Sequence, residues 1–190
     1  MTGSKSILLA VGVVALLQSL VIGWMVWDRA RLIASGREIR AAVIPVDPRD
    51  IFRGDYVVLG YDFSGRSDIQ LPQGARQGDA VYALLKKQGP SQWTLAGVTA
   101  GKPDKVQDDE VAVEAIVDGV RRSGGGDAPT IGWLRYGIER FYVPEGEGRA
   151  IENLVRDKRV VAVLAVGSDG AMALKGLEAD GKTIAQEPLF

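Results

Sequence analysis

The chain has 190 residues, 46% of them hydrophobic and 25% charged, so one globular domain beside one hydrophobic segment accounts for its composition. Its formal net charge is −1, so there is no overall positive field to attract nucleic acid. It has neither cysteine nor histidine, which excludes disulfides, thiolate or imidazole zinc sites, cysteine nucleophiles and Ser-His-Asp triads, and we expect no metal site and no cofactor.

The first predicted element is an uncharged helix over residues 7–27. Gln18 and Ser19 are its only polar side chains. At 1.5 Å per residue it is about 31 Å long, which matches a hydrocarbon core of roughly 30 Å. Trp24 and Trp27 stand where an interfacial aromatic belt belongs, and charged residues follow at once. The segment therefore predicts a single membrane span.

A cleaved signal peptide is the alternative interpretation of this segment. The apolar stretch is longer than the usual 7–15 residues, and no clean small-x-small site follows Trp27. We therefore predict a retained anchor, with the tail and span at 1–28, a juxtamembrane linker at 29–38 and a domain at 39–190. Flanking charges alone favour a cytoplasmic domain, but large C-terminal domains cross membranes largely regardless of such charges.

Beyond the linker, short runs rich in β-branched and aromatic residues predict strands, each bounded by Gly, Pro, Asp or Ser. A Gly-Ser-Asp-Gly turn at 167–170 predicts an antiparallel hairpin, and helical spacing over 146–157 predicts one short helix. We expect a β-dominated α+β fold with a barrel-like or sandwich-like domain. The predicted strands are 39–46, 56–63, 80–87, 93–100, 111–120, 131–136, 138–143, 160–166 and 171–177.

Residues 46–61, V-D-P-R-D-I-F-R-G-D-Y-V-V-L-G-Y, place arginine and aspartate on a Pro/Gly turn before an apolar strand. An aspartate before proline can form an Asx turn, the arginines can bind carboxylates or carbonyls, and glycine allows a positive φ. The turn is either structural or a site for a ligand or partner. Its candidate residues are Asp47, Arg49, Asp50, Arg53, Gly54, Asp55, Tyr56 and Tyr61.

A second cluster of charged and aromatic residues precedes the predicted helix. Carboxylates at a helix N-terminus can bind free N–H groups and favour the helix dipole. Alternatively, Asp50, Asp55, Glu139 and Glu145 converge as paired carboxylates, a set suited to acid-base chemistry or to binding sugar hydroxyls. The candidate residues of this cluster are Arg135, Tyr136, Glu139, Arg140, Tyr142 and Glu145.

These two motifs carry a resemblance to a known family. Gly54-Asp55-Tyr56, Leu59 and Tyr61 match the pattern after which the GDYXXLXY family is named, and the run 136–149 is similar to that family as well. The resemblance spans most of the chain. It implies a small bacterial protein held in the inner (cytoplasmic) membrane by one span, with its C-terminal domain on the extracytoplasmic side and with no assigned activity.

We expect a non-catalytic binding or assembly module that contacts another membrane or cell-envelope component, with charge-assisted hydrogen bonds and aromatic contacts supplied by the motifs. One alternative is a carboxylate-dependent hydrolase of a cell-envelope polymer. Another is an inactive relative of a signal-peptidase-like β domain, because the positions where the catalytic serine would fall, 45–47, carry no hydroxyl.

Overall fold

The computed structural model describes residues 2–46, 56–64, 69–122, 129–144 and 146–187. An apolar N-terminal helix is followed by antiparallel sheets, one of them curled into a half-barrel, and by one more short α-helix, which confirms the β-dominated fold. The elements are α1 Thr2–Ser35, β1 Arg37–Ile44, β2 Tyr56–Val58, β3 Gly60–Tyr61, a 3-10 helix Asp62–Ser64, β4 Ala80–Lys87, β5 Trp93–Thr99, β6 Glu110–Arg122, β7 Pro129–Arg135, β8 Arg140–Tyr142, α2 Gly148–Arg156, β9 Val160–Val166, β10 Met172–Ala179 and β11 Lys182–Gln186.

The strands form two larger sheets and a two-stranded ribbon. The five-stranded sheet has the order β11-β10-β9-β1-β3, the four-stranded sheet has the order β5-β4-β6-β7, and the ribbon pairs β2 with β8. The turn at 167–170 joins β9 to β10 in antiparallel register, with Val166 opposite Met172, so the predicted hairpin is confirmed. Both sheets and the ribbon contribute side chains to one continuous core.

Strand β9 is buried on both faces, whereas β4 buries only alternate residues. One face of β9 contributes Ala162 and Leu164 to the main core. The other face is covered by the end of α1, where Ile33 packs on Ala165 of β9 and Ala173 of β10. Because alanine leaves room at these two positions, the helix can approach the sheet closely.

The junction between α1 and β1 falls within the predicted juxtamembrane segment 29–38. The helix continues to Ser35 and β1 begins at Arg37, because Ile33 is buried against the sheet. The break falls at Gly36, whose backbone N–H donates to the Leu32 carbonyl at 2.9 Å. A Cβ on Gly36 would lie 2.6 Å from that carbonyl oxygen, so only glycine fits this turn.

One strand prediction needs correction, and one strand was not predicted. The predicted strand 56–63 is divided, since β2 pairs with β8 and β3 pairs with β1 before the chain turns into the 3-10 helix. Strand β11 was missed: its sequence, K-T-I-A-Q, mixes polar and small residues, and none of its five residues is buried.

Candidate functional site

The two sequence motifs meet at the ribbon formed by β2 and β8. Tyr56 lies opposite Tyr142, and Val57 lies opposite Phe141. The contact continues past the end of β2, where the backbone N–H of Leu59 donates to the carbonyl of Glu139 at 2.8 Å. Segments some eighty residues apart in sequence therefore form one structural unit.

The inner face of this unit is a buried aromatic cluster. The Tyr61 and Phe63 rings stack with centroids 5.0 Å apart, and the Tyr136 ring meets Phe63 edge-on at 5.1 Å. The Tyr61 hydroxyl donates to the Ile138 carbonyl at 3.1 Å, and the Tyr136 hydroxyl donates to the Phe63 carbonyl at 2.9 Å. Both tyrosines are therefore core residues whose polar ends are satisfied.

Glu139 closes the turn between β7 and β8. Its carboxylate accepts a hydrogen bond from the backbone N–H of Tyr136 at 2.5 Å, and Gly137 supplies a positive φ of 78° within the same turn. Burial first, and the nearby charge of Glu139 second, raise the pKa of Tyr61 and of Tyr136 above their usual range. The carboxylate is thus engaged in the local structure of the second motif.

These raised pKa values predict a stability loss at high pH. A tyrosine whose pKa is higher in the folded than in the unfolded chain stabilises the fold fully below the unfolded pKa of about 10, and that stabilisation is lost as the pH rises above it. We expect Tyr61→Phe to cost about 1 kcal/mol at neutral pH through the lost hydrogen bond. Its unfolding free energy should then fall less steeply than that of the original chain above about pH 10, by up to about 1.4 kcal/mol per pH unit.

The measurement is urea unfolding of the full chain in detergent micelles at pH 8 and at several pH values above 10. The two proteins share every other titratable group, so the difference in slope isolates Tyr61. Parallel pH profiles for the two proteins would show that Tyr61 ionises equally easily in the folded and the unfolded chain.

The outer face of the same ribbon is half-buried on β2 and exposed on β8. We call Tyr56, Val58, Arg140 and Tyr142 the ribbon face. Tyr142 is 61% exposed, and its ring centroid lies 5.9 Å from that of Tyr56. The Arg140 guanidinium carbon lies 5.4 Å from the Tyr56 ring centroid, within the range of a cation–π contact. Two aromatic rings and a cation are therefore presented together at the surface.

Arg135 does not belong to the ribbon. It points outward from β7, and its Nε lies 3.8 Å from the Asp118 carboxylate. Two residues earlier on the same face of β7, Trp133 is 51% exposed and its ring covers Gly119, where a Cβ would lie 2.6 Å from the indole. Trp133 was not among the candidate residues from the sequence. Side chains alternate between the two faces of a strand, so Trp133 lies on the same face of β7 as Arg135.

The remaining candidates of the motifs lie outside the described residues: Asp47, Arg49, Asp50, Arg53, Gly54, Asp55 and Glu145. Of the four carboxylates proposed to converge, Glu139 alone lies in the described part of the chain, so their convergence stays a prediction. Within the ranges that the structure describes, no three acidic side chains lie close enough together to hold a metal ion.

Comparison with known proteins identifies the family of the chain. The family model described as GDYXXLXY protein matches residues 18–177, a range that contains both motifs and ends within β10. The chain matches no curated protein and no solved structure. Because this family model covers most of the chain, the chain belongs to the GDYXXLXY family.

Proposed function

We propose that the chain is a single-pass membrane protein whose β-rich domain is a non-catalytic binding module for another membrane or cell-envelope protein. The observation that carries this proposal is the ribbon face, where residues of both motifs place Tyr56, Arg140 and Tyr142 together at the surface. Tyrosine and arginine are enriched among the residues that dominate protein–protein binding energies. The ribbon face is the contact surface in this proposal.

The properties of α1 support the membrane anchor. The most apolar 18-residue window of the helix Ile7–Ser35 has a mean hydropathy of 2.4, and none of that window is buried inside the protein. Leu17 is 57% and Trp24 is 71% exposed, an apolar surface that a bilayer would cover. The end of α1 packs on the sheet through Ile33, so the anchor is structurally continuous with the domain.

We also propose that the anchor lies in the inner membrane and that the domain lies on the extracytoplasmic side. The resemblance of the motifs to a membrane-anchored bacterial family supports this orientation. The arginines that follow the span do not oppose it decisively, because long C-terminal domains are translocated largely regardless of flanking charge.

The hydrogen bonds of the described motif residues that could act in catalysis favour a binding role over hydrolysis. The hydroxyls of Tyr61 and Tyr136 donate to backbone carbonyls, and the Glu139 carboxylate accepts a backbone N–H. These groups hold the turn and the ribbon in place. Arg140 and Tyr142 are exposed and can contact a partner surface.

Photo-crosslinking of the full chain in its native membrane tests the proposal. With benzoylphenylalanine in place of Tyr142, we expect a discrete crosslinked protein that mass spectrometry can identify. The matched control carries the same group at Thr183, an exposed position on β11, and should give no such adduct. Tyr56→Ala together with Arg140→Ala should weaken binding of the identified partner by about 30-fold, which corresponds to a loss of about 2 kcal/mol.

Equal crosslinking at Tyr142 and Thr183 would overturn the proposed contact surface. Release of soluble fragments from purified envelope polymer by the full chain, abolished by Glu139→Gln in a variant that remains folded, would instead support the hydrolase alternative.

A further inference from the structure

A cleft of about 550 Å³ lies where α1 meets the domain. One wall is the last part of α1, including Asp28, Arg31 and Leu32, and the other is formed by the loop after β5 and the turn between β9 and β10. Its volume falls within the range of ligand sites, roughly 300–1,000 Å³. The sequence did not indicate this cleft, because its lining residues are spread over more than 140 positions.

The cleft lies at the depth of the phospholipid headgroups if α1 spans the membrane, so the inference rests on the proposed anchor. Arg31 follows Trp27 by four residues, or about 6 Å along the helix axis. The headgroup zone on each side of a bilayer is about 5–7 Å thick. Arg29 fixes this geometry, since its guanidinium donates to the Met172 carbonyl at 3.2 Å, and Ile33 is buried against the sheet.

The charged side chains of the cleft fall into two groups. Those that already have a hydrogen bond or ion pair within the protein are Arg37, Lys102, Glu110 and Asp169. Throughout the described ranges, the following lining residues have no side-chain hydrogen bond or ion pair: Asp28, Arg31 and Asp104. One cation and two carboxylates are therefore available to an occupant.

We propose that this cleft binds the headgroup of a phospholipid that carries both a phosphate and a primary ammonium, as phosphatidylethanolamine does. The planar guanidinium of Arg31 suits two phosphate oxygens. The ammonium has three N–H donors, which Asp28 and Asp104 can accept. Val106, on the loop after β5, is 41% exposed at the cleft and provides an apolar contact for the glycerol and acyl part of the lipid.

The charges of the residues that line the cleft favour this headgroup over the headgroup of an anionic lipid. Counting every charged residue that lines the cleft, the basic ones are Arg31, Arg37 and Lys102, and the acidic ones are Asp28, Asp104, Glu110 and Asp169. A headgroup with only negative charge would meet a lining that is itself slightly negative. A headgroup that carries both a phosphate and an ammonium group complements the basic and the acidic side chains of the cleft.

The test uses the full chain in nanodiscs made from equal parts of phosphatidylethanolamine, phosphatidylcholine and phosphatidylglycerol. After transfer to mild detergent, native mass spectrometry counts the lipids that stay bound. We expect phosphatidylethanolamine to be retained about tenfold over phosphatidylcholine, whose trimethylated nitrogen has no N–H to donate; tenfold corresponds to about 1.4 kcal/mol. Arg31→Gln and Asp104→Asn should each reduce the preference to about twofold.

The matched controls are Arg76→Gln and Glu152→Gln, which remove exposed charges away from the cleft and should keep the original preference. Equal retention of the ethanolamine and choline lipids, an unchanged preference in both cleft variants, or a preference for phosphatidylglycerol would each overturn the inference. Alkaline carbonate extraction of the cell membranes that contain the chain separates the two proposals. Extraction of the chain would disprove the anchor itself. An anchored chain without a lipid preference would disprove only the headgroup site.

Discussion

Replacing Phe63 with alanine should lower the free energy of unfolding by about 3–5 kcal/mol. Its side chain is 1% exposed and lies between the rings of Tyr61 and Tyr136. The carbonyl of the same residue accepts the Tyr136 hydroxyl, so the backbone cannot move inward to fill the cavity without breaking that bond. Thermal and urea unfolding of the full chain in micelles, followed by circular dichroism of the strands, would measure the effect.

Tyr142→Ala is the matched control, because it also removes an aromatic ring from the joined motifs. Its ring is 61% exposed, so the loss should stay at or below about 1 kcal/mol. If Phe63→Ala cost no more than Tyr142→Ala, the buried cluster would not be what holds the two motifs together, and Tyr61 and Tyr136 would lose their role as the structural link between them.

The strands that could be predicted best are those whose apolar runs end at clear turn signals. The predicted ranges 80–87 and 160–166 coincide with β4 and β9. The range 56–63 could not be resolved, since the chain changes partner at Leu59, from β8 to β1. At that point the backbone N–H of Leu59 donates to the carbonyl of Glu139, a long-range contact without a local sequence pattern.

The sequence indicated the strand faces of Tyr56 and Tyr61 but not how the two motifs are arranged. Strand alternation places Tyr56 and Tyr61 on opposite faces, and the structure has Tyr61 in the core and Tyr56 on the ribbon face. The sequence could not indicate that Tyr56 lies beside Tyr142, because nothing local reports a pairing between segments so distant. The cleft was missed for the same reason: Arg31 and Asp104 each look like an ordinary solvated charge in the sequence.

The second large effect is expected for Gly170→Ala, at about 2–4 kcal/mol of lost stability, which combines backbone strain with overpacking. Gly170 has φ of 96°, and an added Cβ would lie 2.7 Å from the Tyr82 ring and 3.3 Å from backbone atoms of β6. The Gly170 carbonyl accepts the backbone N–H of Glu114 at 2.8 Å. The turn between β9 and β10 therefore links the five-stranded sheet to the four-stranded one, and the substitution should push them apart.

Gly181→Ala provides the comparison that separates the two causes. Gly181 also has a positive φ, of 76°, but an added Cβ would meet no heavy atom within 4 Å, so this change carries backbone strain alone and should cost about 1 kcal/mol. Both variants would be unfolded with urea as full chains in the same micelles. A difference of less than about 0.5 kcal/mol between them would mean that the turn yields freely to the added methyl group, and the close approach of Gly170 to β6 could not be what joins the two sheets.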